Sequence, residues 1–265
     1  MNILEEIIAQ KRIEVQQKKL LVPEELLLTA KDFTRKCRSL KEALSSTRSS
    51  GIIAEFKRKS PSKGWLKEHA SVGQIVKDYH NAGAAGISIL TDEIFFGGTL
   101  DDLKAGRETI EIPILRKDFI MDEYQLVESK ACGADVILLI AAYLTPGRVN
   151  ELAVKARDLG LEIILEIHHE GELSHICDEV DIVGINNRDL TTFIVDIARS
   201  AELAVKVPAG KLMISESGIN SDSEVLYLRN YGFSGFLVGE KFMREDNPGK
   251  ACEDFIDLIK KRNEN

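Results

Sequence analysis

Short runs of hydrophobic residues alternate with longer amphipathic stretches over most of the chain. From residue 51 onward, eight short aliphatic segments rich in β-branched residues predict strands, and their first residues lie 20 to 35 positions apart. The predicted strands are Gly51–Phe56, Gly86–Leu90, Ile112–Leu115, Val136–Ile140, Glu162–Glu166, Ile182–Ile185, Lys211–Ile214 and Gly235–Val238. Stretches with helical periodicity follow strands, among them Ser71–Ala82, Asp122–Cys132, Pro146–Leu159 and Ser221–Tyr231. The pattern therefore predicts a repeated strand–helix unit.

Uninterrupted apolar strands that alternate with helices are typical of a parallel sheet covered by helices. Eight such units fit a closed (β/α)8 barrel, the TIM barrel, which takes about 250 residues. A doubly wound open sheet is the alternative, but it usually carries a glycine fingerprint after its first strand. Here Phe56 is followed by Lys-Arg-Lys-Ser-Pro. We therefore predict an α/β protein with a TIM barrel.

The first 48 residues show a different pattern. Apolar residues at helical spacing predict a helix over Ile3–Leu20, and Pro23 followed by two glutamates predicts the start of a second, short helix. A segment of about 48 residues is marginal for an independent core. We therefore expect one barrel domain over residues 1–265, in which residues 1–48 form an N-terminal helical extension.

The composition excludes several classes of protein. The 265 residues are 44% hydrophobic and 29% charged, which excludes a disordered chain and a collagen. The formal net charge of −8 argues against nucleic-acid or anionic-membrane binding, and no apolar run reaches the length of a membrane span. The four cysteines lack metal-like spacing and the N-terminus lacks the features of a signal peptide. We therefore expect reduced thiols in a cytoplasmic protein.

Charged and polar residues follow the carboxyl ends of the predicted strands, where the active sites of such barrels lie. Glu55 and Lys57 are two residues apart at the first strand, so they point to the same face. Lys117, Glu166 and Asn186 hold comparable places at the third, fifth and sixth strands. Two lysines, two carboxylates and an amide without a metal cluster indicate acid–base catalysis on a small polar substrate.

The ends of the last two strands indicate an anion site. Ser217-Gly218 and Gly239 place small residues where a backbone can approach a ligand, and a helical pattern follows each of them. Phosphate groups bind at helix N-termini after the corresponding strands of many such barrels. We therefore expect a phosphorylated substrate.

Basic residues at three strand ends also favour an anionic substrate. They are Lys57, Arg58, Lys59, Lys63, Arg116, Lys117 and Arg188, all on one predicted face. The excess acid is then expected on the outer helices, so the net charge is compatible with an anionic substrate.

Other conspicuous residues carry weaker signals. His168 and His169 are adjacent, but no third ligand has metal-like spacing, so we expect a solvated or capping role. Lys18 and Lys19 are expected on a solvated helix face. Trp65 lies in a predicted mobile loop, where it either helps to cover the substrate or packs within the loop.

The run from Ile52 to Gly64, IIAEFKRKSPSKG, closely resembles the signature of the indole-3-glycerol phosphate synthase family. Four further stretches are similar to the same family and follow in its order, namely FGG at 96–98, LRKDF at 115–119, GINNRDL at 184–190 and SESGI at 215–219. The resemblance covers nearly the whole chain, the helical extension included. It implies a lyase of tryptophan biosynthesis that closes, decarboxylates and dehydrates 1-(2-carboxyphenylamino)-1-deoxyribulose 5-phosphate.

The resemblance also implies roles for the matching residues. Lys117 is implied as the general acid that protonates the substrate ketone, with Glu166 as the acid/base group opposite it. Glu55 and Lys57 are implied in substrate binding and dehydration, and the sequence leaves open which of them moves which proton. Asn186 and Ser217 complete the implied catalytic set. The implied substrate-binding residues are Ser60, Phe96, Phe119, Arg188, Glu216, Gly218, Gly239 and Glu240.

One of these positions departs from the family pattern. Glu240 stands where some relatives carry a small hydroxyl residue, so its N–H can serve the phosphate only if its side chain turns away. Phe96 and Phe119 are implied to flank the aromatic ring. The resemblance implies no cofactor and no metal, and we expect a monomer whose partner is the small phosphorylated substrate.

Two alternatives remain open at this point. One is another phosphate-binding barrel, such as a phosphoribosylanthranilate isomerase or a lyase similar to the tryptophan synthase α subunit. Neither is expected to combine Glu-Xaa-Lys at the first strand with Arg-Lys-Asp at the third. The other is a barrel that binds a phosphorylated ligand without catalysis, and the retained acid–base residues argue against it.

Overall fold

The computed structural model describes residues 2–189 and 192–263. Leu190, which ends the GINNRDL motif, lies outside the described residues. Eight parallel strands close into a barrel in which each strand pairs with the next along the chain and the last pairs with the first. The strands are Ile52–Phe56, Gly86–Leu90, Ile114–Lys117, Val136–Ile140, Glu162–Ile167, Ile182–Asn186, Leu212–Glu216 and Phe233–Val238. The predicted fold class is confirmed.

Helices follow the strands and form the outer layer. They are Val72–Asn81, Glu93–Phe96, Leu100–Thr109, Glu123–Ala131, Pro146–Asp158, Ala198–Ala204, Asp222–Arg229, Glu240–Met243 and Pro248–Asn263, with a 3-10 helix at Glu170–His175. Several start at capping boxes, in which the N-cap side chain and the third helical residue bond each other's backbone N–H, as at Thr99 and Asp102. Such caps stabilise a helix start by about 1 kcal/mol. Each capped helix start also marks the end of the loop that precedes it.

Two strands extend two residues further than their hydrophobic pattern predicts, and the fifth and sixth strands each extend one residue further. The third strand continues past Leu115 to Lys117, and the seventh continues past Ile214 to Glu216. Residues that were predicted to lie in loops are therefore paired within the sheet. Lys117 pairs with Leu90 of the second strand, and Glu216 pairs with Asn186 of the sixth. The charged ends of these strands are therefore held by the sheet itself.

The barrel interior is filled by alternate residues of the strands. Ile53, Leu115, Leu138, Ile164 and Ile214 belong to this buried cluster, and each is at most 1% exposed. The helix Leu40–Ser45 adds Leu40 and Leu44 to the same cluster. This apolar filling leaves only the carboxyl ends of the strands available for polar groups.

The N-terminal extension is helical, as predicted. Its helices are Ile3–Leu21, Glu24–Leu28 and Leu40–Ser45, joined by turns. The first helix buries Ile7, Ile8 and Val15. The extension thus packs against the barrel along an apolar stripe. Among the described residues, no helix combines the length and the apolar character that crossing a bilayer requires.

One lysine of this first helix is buried. Lys11 is 1% exposed, and its ammonium lies 2.9 Å from carboxylate oxygens of Glu14, Asp92 and Asp118. Burial disfavours the charged amine, but the three carboxylates outweigh it and raise the pKa of Lys11. The sequence analysis missed this residue because a lysine in a charged amphipathic helix resembles a solvated one.

The expectation of a solvated face at Lys18 and Lys19 is wrong. Lys18 Nζ lies 2.9 Å from Glu14 and 3.7 Å from Glu128, and Lys19 Nζ lies 2.7 Å from Asp122. Both lysines are only partly exposed and pair with acids, two of which belong to the barrel. The helix is therefore attached by charge as well as by apolar contact.

Candidate active site

A cavity of about 670 Å³ opens at the carboxyl ends of the barrel strands. All the residues predicted for the site line it, namely Glu55, Lys57, Ser60, Phe96, Lys117, Phe119, Glu166, Asn186, Arg188, Glu216, Ser217, Gly218, Gly239 and Glu240. Ile3, Leu4 and Ile7 of the N-terminal helix line it as well. The extension is therefore part of the wall of the cavity.

Lys117, at the end of the third strand, lies among carboxylates from the fifth, seventh and first strands. Its Nζ is 2.9 Å from Glu166 Oε2 and 3.4 Å from Glu216 Oε2. Burial disfavours its charge, but Glu166, Glu216 and Glu55 outweigh burial and raise the pKa of Lys117. Conversely, burial alone would raise the pKa of Glu166, but the nearby ammonium lowers it. The resting site therefore holds an ammonium beside a carboxylate.

The pKa of Glu216 is shifted in the opposite direction to that of Glu166, although both carboxyl groups lie near Lys117. Burial, together with the negative charges of Glu166 and Glu55, raises the pKa of Glu216 to about 7, against the opposing effect of Lys117. Two neighbouring carboxyl groups whose pKa values are driven apart are typical of acid–base sites. Glu216 can thus be protonated near neutral pH while Glu166 stays ionised.

The first strand supplies a second lysine–carboxylate pair. Lys57 Nζ lies 2.7 Å from Glu55 Oε1, as the two-residue spacing predicts. Glu55 is 4% exposed, and the backbone of Gly239 passes so close that an added Cβ would lie 2.5 Å from its Oε1. The backbone just after the eighth strand thus confines this carboxylate.

The sixth strand connects the acid–base groups to an arginine. Asn186 Nδ2 donates to Glu166 Oε1 at 3.0 Å, and Asn186 Oδ1 accepts from the backbone N–H of Arg188 at 3.0 Å. Arg188 Nη2 lies 3.6 Å from Glu240, whose other oxygen is 2.7 Å from Arg244. The side chain of Glu240 is therefore held between two guanidinium groups.

Phe96 and Phe119 give the cavity an aromatic wall. The rings of Phe96 and Phe119 lie 6.1 Å apart, and Phe119 lies 6.1 Å from Tyr143. Trp65 packs against Gly97 and under the ammonium of Lys59 instead, so it takes the loop-packing role of the two that the sequence left open.

The ends of the last two strands form a small polar recess. Ser217 and Gly218 both have positive φ, +67° and +80°, and for a non-glycine residue such a conformation costs about 1–3 kcal/mol. Ser60 Oγ is buried and has no hydrogen-bond partner within the described residues. An unpaired buried hydroxyl that lines the same cavity as this strained turn is suited to an oxyanion ligand that supplies the missing bond.

His168 is a residue that the sequence analysis misplaced. It is 7% exposed, and its Nε2 lies 3.2 Å from Glu166 Oε1, so the expected solvated or capping role is wrong. Burial lowers the pKa of the imidazole, but Glu166 and Glu172 outweigh burial and raise it to about 9. The signal was available, because two residues along a strand point to the same side.

Three of the basic residues expected at the cavity lie elsewhere. Arg116 is 1% exposed and its Nη2 is 2.9 Å from both Asp118 and Glu128, on the side of the strand opposite Lys117. Arg58 forms a two-bond contact with Asp102, and Lys59 bonds the carbonyl of Ile94. Lys57, Lys63, Lys117 and Arg188 remain at the cavity.

In the part of the chain that the structure describes, no group of three or more His, Cys, Asp or Glu side chains is arranged to hold a metal ion. The polar side chains around the cavity are lysines, an arginine, carboxylates, two amides and hydroxyls. This set is suited to moving protons and binding anions.

Comparison with known proteins agrees with this geometry. The model of the family described as Indole-3-glycerol phosphate synthase matches residues 4–255. An indole-3-glycerol phosphate synthase of Bacteroides thetaiotaomicron is 49% identical, over 97% of this chain and 99% of the relative. One of Rhodopirellula baltica is 41% identical, over 92% of this chain and 95% of the relative.

A solved structure shows the same fold at low sequence identity. The tryptophan synthase α subunit of Legionella pneumophila superimposes with a TM-score of 0.61 at 14% identity, over 84% of this chain and 95% of that one. This likeness concerns the barrel alone. The family match and the relatives extend over nearly the whole chain, so the chain belongs to the indole-3-glycerol phosphate synthase family.

Proposed function

We propose that this cavity converts 1-(2-carboxyphenylamino)-1-deoxyribulose 5-phosphate into indole-3-glycerol phosphate, carbon dioxide and water, a lyase step of tryptophan biosynthesis. The observation that carries the proposal is the largely buried ammonium of Lys117, 2.9 Å from Glu166 and 3.4 Å from Glu216 at the mouth of the barrel. A positioned acid of this kind is what ring closure onto a ketone requires.

Ring closure joins the aryl carbon that bears the carboxylate to the ketone carbon. As this bond forms, negative charge develops on the ketone oxygen, and Lys117 donates its proton there. The carboxylate then leaves as carbon dioxide, and its electron pair restores the aromatic ring. Phe96 and Phe119 offer the face on which the aryl group stacks.

Dehydration completes the indole. The hydroxyl leaves as water after receiving a proton, and a base removes a proton from the neighbouring carbon. The Glu55–Lys57 pair and Glu166 are the groups available for these two transfers. Two protons are supplied and one is removed, so each turnover of the carboxylate substrate takes up one proton.

The remaining substrate groups match the rest of the cavity. We assign the phosphate to the recess of Ser60, Gly218 and Gly239, where the unpaired hydroxyl of Ser60 supports an oxyanion. Arg188 and Lys63 line the same cavity and supply positive charge. The N-terminal helix adds an apolar wall that excludes water from the reacting atoms.

Indole fluorescence provides the test. The purified protein is incubated with the carboxyphenylamino-ribulose phosphate, and fluorescence is expected to rise with time in proportion to enzyme concentration. Addition of the isomeric phosphoribosyl anthranilate should give no signal. Absence of indole at high enzyme concentration contradicts the proposal and leaves a barrel that only binds a phosphorylated ligand.

We further propose that the protein works as a monomer in the cytoplasm. All four cysteines are unpaired, as expected of thiols in a reducing compartment. Sedimentation equilibrium tests the first statement, because a dimer at assay concentration contradicts it.

A further inference from the structure

A buried side chain behind the cavity wall is bonded to the turn that forms part of the recess. Asn187 directly follows the sixth strand and is 0% exposed. Its Nδ2 donates to Ser215 Oγ at 2.9 Å and to the backbone carbonyl of Ser217 at 3.0 Å. Its backbone N–H donates to the carbonyl of Glu216 at 2.9 Å. Asn187 therefore bonds three consecutive residues at the end of the seventh strand.

The oxygen of the same amide is bonded to an outer helix. Asn187 Oδ1 accepts from the backbone N–H of Ser200 at 3.2 Å and from Ser200 Oγ at 2.7 Å. Ser200 lies in the helix Ala198–Ala204 and is also 0% exposed. A side-chain amide can donate two hydrogen bonds and accept two, and that of Asn187 makes all four. Its orientation is therefore fixed, because any rotation would leave buried polar groups without partners.

The bond to Ser217 determines where the next backbone N–H points. The peptide between Ser217 and Gly218 is trans, so its C=O and its N–H point in opposite directions. Asn187 holds the C=O on the buried side, so the N–H of Gly218 points to the other side, toward the cavity that both turn residues line. Within the described part of the chain, this N–H donates no hydrogen bond. It is therefore available to a ligand in the recess.

The loop that follows Asn187 confines the same turn. The carbonyl of Asn187 accepts from the N–H of Asp196 at 3.0 Å. The neighbouring Val195 packs against Gly218, where an added Cβ would lie 2.3 Å from Val195 Cγ1. Contact with Val195 limits the space around the glycine, whereas the directional bond from Asn187 sets the orientation of the peptide plane.

We propose that Asn187 is a positioning residue for the substrate phosphate, because its amide holds the Ser217–Gly218 peptide with the Gly218 N–H directed at a phosphate oxygen. This inference rests on the proposed function, which places the phosphate in the recess of Ser60, Gly218 and Gly239. Asn187 acts through the peptide and does not touch the substrate. A backbone N–H that is oriented before binding spends none of the binding free energy on its own ordering.

Two alanine variants separate positioning from a purely structural role. Asn187→Ala removes the donor to the Ser217 carbonyl without placing a charge near the phosphate. Ser200→Ala removes a hydroxyl bond from the same buried amide but leaves the bond to Ser217, so it is the matched control. Indole fluorescence gives kcat and KM with the phosphorylated substrate and with the same compound without its phosphate. Inorganic phosphate serves as a competitive inhibitor, and urea unfolding reports the stability of both variants.

The positioning role predicts an effect confined to the phosphate. Asn187→Ala should raise both KM for the phosphorylated substrate and the inhibition constant of inorganic phosphate about tenfold or more, since an N–H bond to an anion is lost. Its kcat should change at most about threefold, because the phosphate binds equally in the ground state and the transition state. Its kcat/KM for the compound without phosphate should change less than about twofold, as should all constants of Ser200→Ala.

The wild-type protein provides a measurement that does not depend on the folding of either variant. In isotope-labelled protein, the amide resonance of Gly218 should move in a saturable way as inorganic phosphate is added, with the proton shifting downfield as the hydrogen bond forms. A Gly218 resonance that stays in place in concentrated phosphate contradicts the inference.

Two kinetic results also overturn it. An Asn187→Ala enzyme with KM and phosphate inhibition close to wild type shows that the peptide is held without the amide. Equal losses of kcat/KM with and without the substrate phosphate show that Asn187 is only structural. A wild-type enzyme that forms no indole contradicts the proposed function instead, and the phosphate titration of the Gly218 amide still tests the recess in that case.

Discussion

Lys117 shows how a single residue takes its chemical state from its neighbours. Its ammonium is buried, yet the carboxylates of Glu166 and Glu216 keep it charged. In return it lowers the pKa of Glu166, whereas burial and like charge hold the pKa of Glu216 near 7. The three groups can therefore act as an acid, a base and a group that titrates in the working range.

Replacement of Lys117 by methionine tests the assigned acid. Lys117→Met keeps the length of the side chain but removes the proton, so kcat should fall by about 10²–10⁴, as for loss of a general acid. Indole fluorescence measures kcat, and circular dichroism checks the fold. Lys104→Met, at an exposed lysine of the helix Leu100–Thr109, is the control. A Lys117→Met enzyme with more than about a tenth of wild-type turnover contradicts the role.

Gly184 tests how closely the site is packed. It lies on the sixth strand, and an added Cβ would lie 2.3 Å from Glu216 Oε1 and 3.1 Å from Ile164. Gly184→Ala should therefore displace Glu216, and a displacement of about 1 Å can lower kcat about 10²-fold. The same overpacking should lower the free energy of unfolding by about 1–3 kcal/mol.

Gly147 provides the matched control for that substitution. It lies near the start of the helix Pro146–Asp158, and an added Cβ there meets no atom within 4 Å. Gly147→Ala should leave kcat unchanged and alter stability by at most about 1 kcal/mol. Equal kcat values for Gly184→Ala and Gly147→Ala would show that catalysis does not depend on the exact position of Glu216.

The residues that sequence reasoning predicted at the cavity were found in two ways. Those at strand ends, such as Lys117 and Glu166, lie where the active sites of this fold lie, so position along the chain was enough to find them. Others, such as Ser60 and Phe96, were implied only by the family resemblance.

Arg116 was misplaced because neighbouring strand residues point to opposite sides, and only Lys117 can face the interior. Lys11 was missed because its three carboxylate partners come from its own helix and from two distant loops. Ion pairs of this kind depend on tertiary packing, which the local periodicity of the sequence does not predict.

At the scale of elements, the N-terminal helix Ile3–Leu21 combines attachment and function. Its apolar side chains Ile3, Leu4 and Ile7 line the cavity, while Lys11, Lys18 and Lys19 pair with acids. Asp118 forms an ion pair with Lys11 and another with Arg116. It directly follows Lys117 in the chain. The helix is thus fixed to the strand end that carries the proposed acid.

Removal of the buried lysine should loosen this helix. Lys11→Met leaves Asp92 and Asp118 without the ammonium that lies 2.9 Å from each, and breaking one side of a buried ion pair costs about 3–5 kcal/mol. Because Ile3, Leu4 and Ile7 then cover the cavity less well, KM should also rise. Urea unfolding and indole fluorescence measure the two effects.

Lys19→Met is the control for that experiment. Lys19 pairs with Asp122 at 2.7 Å, but its side chain is 36% exposed, so the loss should be at most about 1 kcal/mol. Its KM should stay close to wild type. If Lys11→Met and Lys19→Met lower the free energy of unfolding by similar amounts, the ion pairs of Lys11 with Asp92 and Asp118 do not hold the helix on the barrel.

At the scale of the whole molecule, the barrel was the easiest feature to predict. Eight apolar strands at regular spacing have few ways to bury themselves, and the closed sheet removes every edge. The strand ends were harder, because Lys117 and Glu216 are polar residues that belong to the sheet. We propose that residues 1–48 and the barrel form one domain, since Lys11 and the apolar stripe of the first helix are buried between them.

The buried charges of the molecule also set how its stability depends on pH. Asp118 and Glu166 have lowered pKa values, so their stabilisation is complete above the unfolded pKa of about 4 and is lost as the pH falls further. His168 has a raised pKa of about 9, against 6.5 for an unperturbed histidine. Its stabilisation is complete below pH 6.5 and is lost as the pH rises to about 9.

The alkaline side gives a measurable prediction. Each pKa unit corresponds to about 1.4 kcal/mol, so the free energy of unfolding should fall by on the order of 3 kcal/mol between pH 6.5 and 9. Urea unfolding at a series of pH values measures this fall. His168→Gln should remove it, whereas His80→Gln should retain it. Buried thiols such as Cys252, with its raised pKa, add a loss at still higher pH that both variants share. A wild-type curve that is flat over this interval would mean that the buried imidazole does not carry a proton between its two carboxylates.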